Sequence, residues 1–508
     1  MKLYYARIKG YKNLTDFTIN LLRENKEITT VLVGQNASGK SNFLEAIVHI
    51  FRLLYLYEKP EFYFEIEYEC RGKQIKIIGD PESKSKKLSY WVNNIPTTQT
   101  KFQQFSGKNR TIKQDTETNL FTNQSQDIEA NNYLPDHVFA YYSGLGNNDR
   151  LEELFDRFQA IFRNELLASN DTNDREASLP FLFFAKLIHS HFALLSFFAY
   201  DSDDSKKAQE FLKDTLGIDS LDSLLFVVRQ KLKGSPYFPK KEESSLKFWN
   251  ARGEVAKFLE NLYDTALAPM RLKMQIRLGQ FNETKKEGVY LYLPSLIELE
   301  KLASNYNGEA DFFKYLNSMY MSDLIEEVQI SVKKRGLDKE LAFKDLSEGE
   351  QQLLVVLGLL RFFRSKECLF LLDEPDTHLN PMWKYNYLHF INKIAGQSQV
   401  SQILMTTHEA LVINGLKKEN LIVFKVNNEN KIVTHSPSED LIGLDVEDIL
   451  TNDELFGLTT TLDSTTYRKV LEKRRIYKAL NTKLEGNRRI ELQEQVKKLE
   501  QELEPLGL

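Results

Sequence analysis

Apolar and polar residues alternate twice within the first twenty positions. LYYARIKG and DFTINL flank a polar turn at Lys9–Asn13, which predicts an antiparallel hairpin with one buried face. The pattern then changes. TTVLV is a continuous apolar run, as expected of a strand buried on both faces, and NFLEAIVHIF after it carries the three-and-four spacing of a helix. PEFYFEIEYECRGKQIKIIG alternates again and turns at Arg71 and Gly72, a second hairpin. From Pro81 to Asn132 the chain is polar and aperiodic, so a long mobile loop is expected there, with Lys84, Lys86, Lys87, Lys108 and Arg110 along it. HVFAYYSG at His137–Gly144 reads as a buried strand ending in a turn over Gly144–Asn148.

Helical spacing dominates residues 149–265, in LEELFDRFQAIF, PFLFFAKLIHSHFALLSFF, AQEFLKDTL and EVAKFLENLYDTAL. The most apolar window, Leu179–Tyr200, contains Lys186, His189 and His191, so it is expected to be a buried or interface helix and not a membrane span. Strands return at MRLKMQIRLG, VYLYLPS and VQISVKK, with a short helix around Ser318–Ile325. FKDLSEGEQQLL then leads into an apolar helix, and CLFLLD and QILMTT read as buried strands. In the tail, Val470, Tyr477, Leu480 and Leu484 mark one amphipathic helix and Leu492, Val496, Leu499 and Leu503 a second, with a break at Gly486 and Asn487. These two either pack as a hairpin on the rest or offer a surface to a partner. The expected organisation is a discontinuous α/β head (1–148 and 266–455), a helical insertion (149–265) and a C-terminal helical tail (456–508).

Composition narrows the setting. A chain of 508 residues, 42% hydrophobic and 27% charged, is long enough for two or three globular domains. A net charge of −5 excludes a wholly basic nucleic-acid binder, leaving local patches such as Arg468, Lys469, Lys473, Arg474, Arg475, Arg488 and Arg489. Two cysteines, Cys70 and Cys368, are too few for a disulfide framework or a zinc site and suit a reducing cytoplasm. Met1–Asp16 lacks the apolar core of a signal peptide.

The chemistry concentrates where strands end. VLVGQNASGKS over Val31–Ser41 fits G-x-x-x-x-G-K-[ST] without mismatch, between a strand and a helix. Glycines at 34 and 39 let the backbone curl so that N–H groups face a phosphate. The candidate ligand set is Gly34, Asn36, Ala37, Ser38, Gly39, Lys40, Ser41 and Asn42, with Lys40 between the β- and γ-phosphates and Ser41 on Mg²⁺. Beyond CLFLLD, Asp373 is the expected carboxylate for Mg²⁺ and Glu374 the base for the attacking water. His408, after the QILMTT strand, is placed to reach the γ-phosphate or orient Glu374.

These residues carry a resemblance. LSEGEQQ (346–352) looks like an ABC signature, LLDEP (371–375) like a Walker B motif and TTH (406–408) like a switch histidine. YARIKGYKNLTDFTI resembles the start of the RecF, structural-maintenance-of-chromosomes (SMC) and OLD-like branch of ABC-type P-loop ATPases. The resemblance implies an ATP- and Mg²⁺-dependent ATPase whose heads dimerise head to tail or form a higher even oligomer. Ser347, Gly349 and Glu350 of one head would then cap ATP held by Lys40 of the other. Glu348 stands where transporters often carry glycine, as is common in the DNA-associated branch. The glutamine that usually links nucleotide to the helical lobe has no clear counterpart.

Within that branch, YYSG, DEPDTHLNP and ELFGLTTTLDS look most like the PtuA family, the ATPases of Septu and some retron anti-phage systems. That implies an HNH nuclease partner of the PtuB kind, and in a retron setting a reverse transcriptase with its RNA–DNA hybrid. No Asp-x-Asp pair lies in 411–508 and no His-Asn-His constellation is visible, so cutting is expected to reside in another chain. Asp201 and Asp203 have the spacing but read as a helix-capping loop. The competing expectations are a RecF-like repair ATPase clamping DNA, and a transporter subunit, against which the long insertion argues.

Overall fold

The computed structural model describes residues 1–21, 27–84, 88–104, 132–143, 154–155, 158–159, 162, 179–229, 247–251, 253–277, 283–395, 400–480 and 486–504. Three sheets organise these residues. An antiparallel layer runs β2-β1-β4-β5-β6-β7, from β1 (Lys2–Lys9), β2 (Phe17–Asn20), β4 (Tyr63–Cys70), β5 (Lys73–Gly79), β6 (Leu88–Val92) and β7 (Ile95–Thr97). The central sheet runs β18-β17-β3-β16-β15-β8-β9, from β3 (Thr29–Gly34), β8 (His137–Tyr142), β9 (Leu182–Ala185), β15 (Cys368–Asp373), β16 (Gln402–Thr407), β17 (Leu421–Val426) and β18 (Ile432–His435). All its pairings are parallel except that of β17 with β18. A second antiparallel sheet runs β11-β12-β10-β13-β14, from β10 (Ile218–Arg229), β11 (Leu267–Arg277), β12 (Glu283–Leu293), β13 (Ile325–Lys334) and β14 (Leu341–Ala342).

The continuous apolar runs follow from the central sheet's being covered twice. Strand alternation sends Val31, Val33, Phe370, Leu372, Ile403 and Met405 into one core, and Leu32, Leu369, Leu371 and Leu404 into the other. Helix α1 (Lys40–Leu56) and the first antiparallel layer close the second core. The first core holds α3 (Ile188–Phe198), α4 (Asp203–Thr215), α5 (Gly253–Thr265), α6 (Leu296–Ala303), α7 (Glu309–Met321) and α8 (Glu348–Phe363), together with the second antiparallel sheet. Smaller pieces are α2 (Gln99–Gln104), α10 (Ala410–Ile413) and α11 (Val446–Thr451), and α9 (Pro381–Ala395) follows β15. The tail is a hairpin of α12 (Ser464–Leu480) and α13 (Gly486–Leu503), tied by Lys469–Glu502 at 2.8 Å and by Tyr477 to Glu500.

Several expectations need correction. The 179–200 window is not one helix. Leu182–Ala185 is the edge strand β9, paired with β8, and only Ile188–Phe198 is helical. A short apolar run suits a buried strand and a buried helix equally, so periodicity does not separate them. The stretch 149–265 also contains β10, the middle of the second antiparallel sheet, so it is not a purely helical insertion. Residues 88–104 form β6, β7 and α2 where a loop was expected, while 105–131, with Lys108 and Arg110, lie outside the described residues, as do Lys86, Lys87 and the expected turn at 144–148. Most of the helix expected at 151–162 lies outside them too. The helix expected near Ser318 spans Glu309–Met321. In the tail the buried residue of α12 is Ile476, not the exposed Tyr477. The DSDDSKK stretch does cap a helix, through Ser202, whose side chain accepts from Ser205 N–H at 3.1 Å.

Candidate nucleotide site

The parallel strands β3, β15, β16 and β8 end on the same edge of the central sheet, where α/β folds build their ligand sites. A cavity of about 300 Å³ opens there. Asn36, Ala37, Ser38, Gly39, Lys40, Ser41 and Asn42 line it on one side, and Asp373 and Glu374 on the other. Two glycines make the loop possible. Gly39 takes φ +92° and a Cβ on it would lie 2.6 Å from Ile432; one on Gly34 would lie 2.4 Å from the Phe424 carbonyl of β17. Lys40, the first residue of α1, is buried and donates to the Gly34 and Gln35 carbonyls at 2.7 and 3.2 Å. Burial lowers its pKa, opposed by Glu374 and Asp373.

Asp373 closes β15 opposite Thr406 of β16 and Tyr142 of β8. Its carboxylate accepts from the Thr406 hydroxyl and from Ser41, while burial raises its pKa against those two bonds. Glu374 follows in the left-handed region at φ +50°, its N–H held by Thr406 Oγ1 at 3.0 Å. The Ser143 hydroxyl donates to the Glu374 carbonyl. His408 lies just beyond β16, with Nδ1 3.2 Å from Glu374 Oε1. The strand ends therefore bring together the P-loop, the carboxylate pair and the histidine.

The donor set suits Mg²⁺: a serine hydroxyl and a carboxylate already bonded to each other, both oxygen ligands, beside a loop shaped for phosphates. Among the described residues no group of three or more His, Cys, Asp or Glu is placed to hold a metal ion.

Ser347, Gly349 and Glu350 do not line this cavity. Ser347 is the exposed N-cap of α8 and forms a capping box with Glu350: the Glu350 N–H donates to Ser347 Oγ at 3.3 Å and the Ser347 N–H to Glu350 Oε2 at 2.8 Å. Glu350 is further paired with Lys334 of β13. Gly349 is buried against α9's approach, where a Cβ would lie 2.4 Å from the His378 carbonyl.

Sequence reading missed five participants. Asn13, in the turn after β1, donates to the Ala37 carbonyl at 3.2 Å and accepts from Asn42 at 2.6 Å. Tyr142 and Glu45 line the cavity, and Thr406 and Ser143 hold the turn that carries Glu374. For Tyr142, Ser143 and Thr406 the available signal was topological: a strand paired beside β15 must end at the same edge.

This arrangement defines an ABC-type P-loop ATPase. The AAA ATPase domain family (AAA_15) matches residues 1–413, and the chain belongs to that family. Over 128 residues the chain is 28% identical to the Septu protein PtuA of Bacillus mycoides (strain KBAB4). That match spans 23% of this chain and 17% of the relative's length. Similar solved structures include the SMC head domain from Thermotoga maritima, at TM-score 0.32 and 14% identity, covering 86% of this chain and 100% of that one. Another is the Smc head domain of Pyrococcus furiosus with an extended coiled coil, bound to the C-terminal domain of ScpA, at TM-score 0.33 and 14% identity, covering 86% and 96%. No described helix is long and apolar enough to cross a membrane.

Proposed function

We propose that this ATPase hydrolyses ATP at a site completed by a second copy of the chain, and that its nucleotide state governs a partner nuclease of the HNH kind in an anti-phage defence complex. The observation that carries the first part is the exposed, capped N-terminus of α8. Ser347 and Glu348 face solvent, which leaves the start of α8 accessible to a second copy. Lys40 and the loop amides would hold the phosphates and Ser41 and Asp373 the Mg²⁺, which when bound would neutralise charge on the phosphates. Glu374 accepts a proton from the attacking water, with His408 fixing its carboxylate. The likeness to the Septu protein PtuA supports the second part.

Glu374→Gln, with Lys40→Ala beside it, tests the site. The glutamine variant is expected to bind ATP, lose turnover by at least about a hundred-fold and accumulate as ATP-bound dimers on sizing with mass detection. Lys40→Ala should lose ATP affinity. Persisting turnover in the Glu374 variant removes it as the base. For the cellular role, co-expression with the neighbouring genes should co-purify an HNH protein and reduce phage plating; the absence of both overturns the defence reading.

A DNA-clamping reading is favoured by one feature. Arg468, Arg474, Arg475 and Lys478 are exposed along α12. ATP-dependent duplex binding that weakens steeply with salt, without a partner, would support it.

A further inference from the structure

Strand β16 ends in two adjacent threonines, and alternation turns them to opposite faces of the sheet. Thr406 serves Asp373. Thr407, fully buried, donates from Oγ1 to Asp376 Oδ2 at 2.8 Å and accepts the Glu409 N–H at 3.0 Å. Its single hydroxyl proton is thus committed to Asp376. That residue is the third carboxylate of the DEPD turn, 1% exposed, and has no part in the chemistry described above. Burial lifts its pKa to about 6, with Glu409 adding to the rise and Thr407 and Lys384 opposing it. An apolar residue of similar size would avoid that desolvation.

His408 sits directly after this anchor. Its Nδ1 faces Glu374 and its Nε2 lies 3.9 Å from Glu409, which is itself paired with Lys384 of α9. The strand end carrying His408 is therefore pinned to the turn carrying Glu374 from both faces, by Thr406–Asp373 on one and Thr407–Asp376 on the other. We infer that Asp376 is a positioning residue for ATP hydrolysis: through Thr407 it fixes the end of β16 so that the His408 imidazole meets Glu374. This rests on the reading of His408 as the group that orients Glu374.

The test uses the full chain and follows kcat, KM, ATP affinity and Tm for Thr407→Val, Asp376→Asn and His408→Ala, alone and combined. Thr407→Val keeps the shape and removes the hydroxyl. It is expected to lower kcat about ten-fold while ATP affinity stays within about two-fold. Asp376→Asn keeps an acceptor and should retain most of kcat. If Asp376→Asn does not fold, Thr407→Val carries the test alone. The deciding readout is the double variant: Thr407→Val should cost nothing further in kcat once His408 is Ala, because it acts through that ring. Multiplying losses, with a fall in Tm, would show a structural role and overturn the inference, as would an unchanged kcat in Thr407→Val. If His408→Ala alone leaves kcat intact, the histidine's role fails first and the inference falls with it.

Discussion

Lys40 and Asp373 face each other's chemistry under opposite penalties, since burial disfavours the ammonium of one and the carboxylate of the other. On the proposed reading, a phosphate and Mg²⁺ bound together would relieve both at once. Elsewhere a buried acid carries a cost that is not relieved in this way. Glu254 of α5, bonded by the Ser318 hydroxyl at 2.6 Å, has its pKa pushed up to about 7, by burial first and then by Asp311. Its folded-state pKa lies above its unfolded value, so the folded chain binds the proton more tightly. The stability this lends is present below the unfolded value and is lost as pH rises toward 7. Glu254→Gln is therefore expected to raise stability at pH 8 by about 1–2 kcal/mol and to change little at pH 5, as read by thermal melts at both. A gain equal at both pH values would assign the effect to packing.

At the scale of elements, α8 is the piece whose placement decides the most. Its first turn is pressed onto the chain leading to α9, so that Gly349 has no room for a side chain: the obstructing atom is the His378 carbonyl, which is backbone and cannot swing away. Gly349→Ala is expected to displace the helix start, leaving ATP affinity nearly intact while abolishing ATP-driven self-association, as measured by mass in solution with and without ATP. Retained association would show that the helix start makes no contact with the second copy. The hairpins, β3, β15, β16 and α1 were legible in the sequence because one-sided burial imposes alternation and two-sided burial imposes apolar runs. The strand β9 was not, because FLFFA next to an apolar helix has no contrast to read. Nor was β10, whose LLFVV lies in a stretch that otherwise carries helical spacing. The P-loop, the carboxylate pair and His408 were legible as local patterns. Tyr142 and Ser143 were not, because each reaches the site only through the pairing of β8 with β15, far along the chain; nor was Asn13, which reaches it by side-chain bonds from a turn to Ala37 and Asn42.

On the scale of the molecule, the candidate site draws on both halves of the chain. The phosphate loop comes from the first 41 residues, and the carboxylates and histidine from beyond residue 370. Strand β3 lies between β16 and β17, so both of its hydrogen-bonding edges are filled by segments that begin at Gln402 and Leu421. On the ribosome, β3 therefore emerges with neither neighbour made. At about 5–20 residues per second, the wait for β17 is on the order of half a minute, with an apolar strand unpaired throughout. The nascent chain should be a client for chaperones during that interval. Such contacts, distant in sequence, also make the closing step of folding slow. A chain cut short anywhere before residue 400 has a phosphate loop with no sheet to hold it, so partial synthesis yields no partial enzyme.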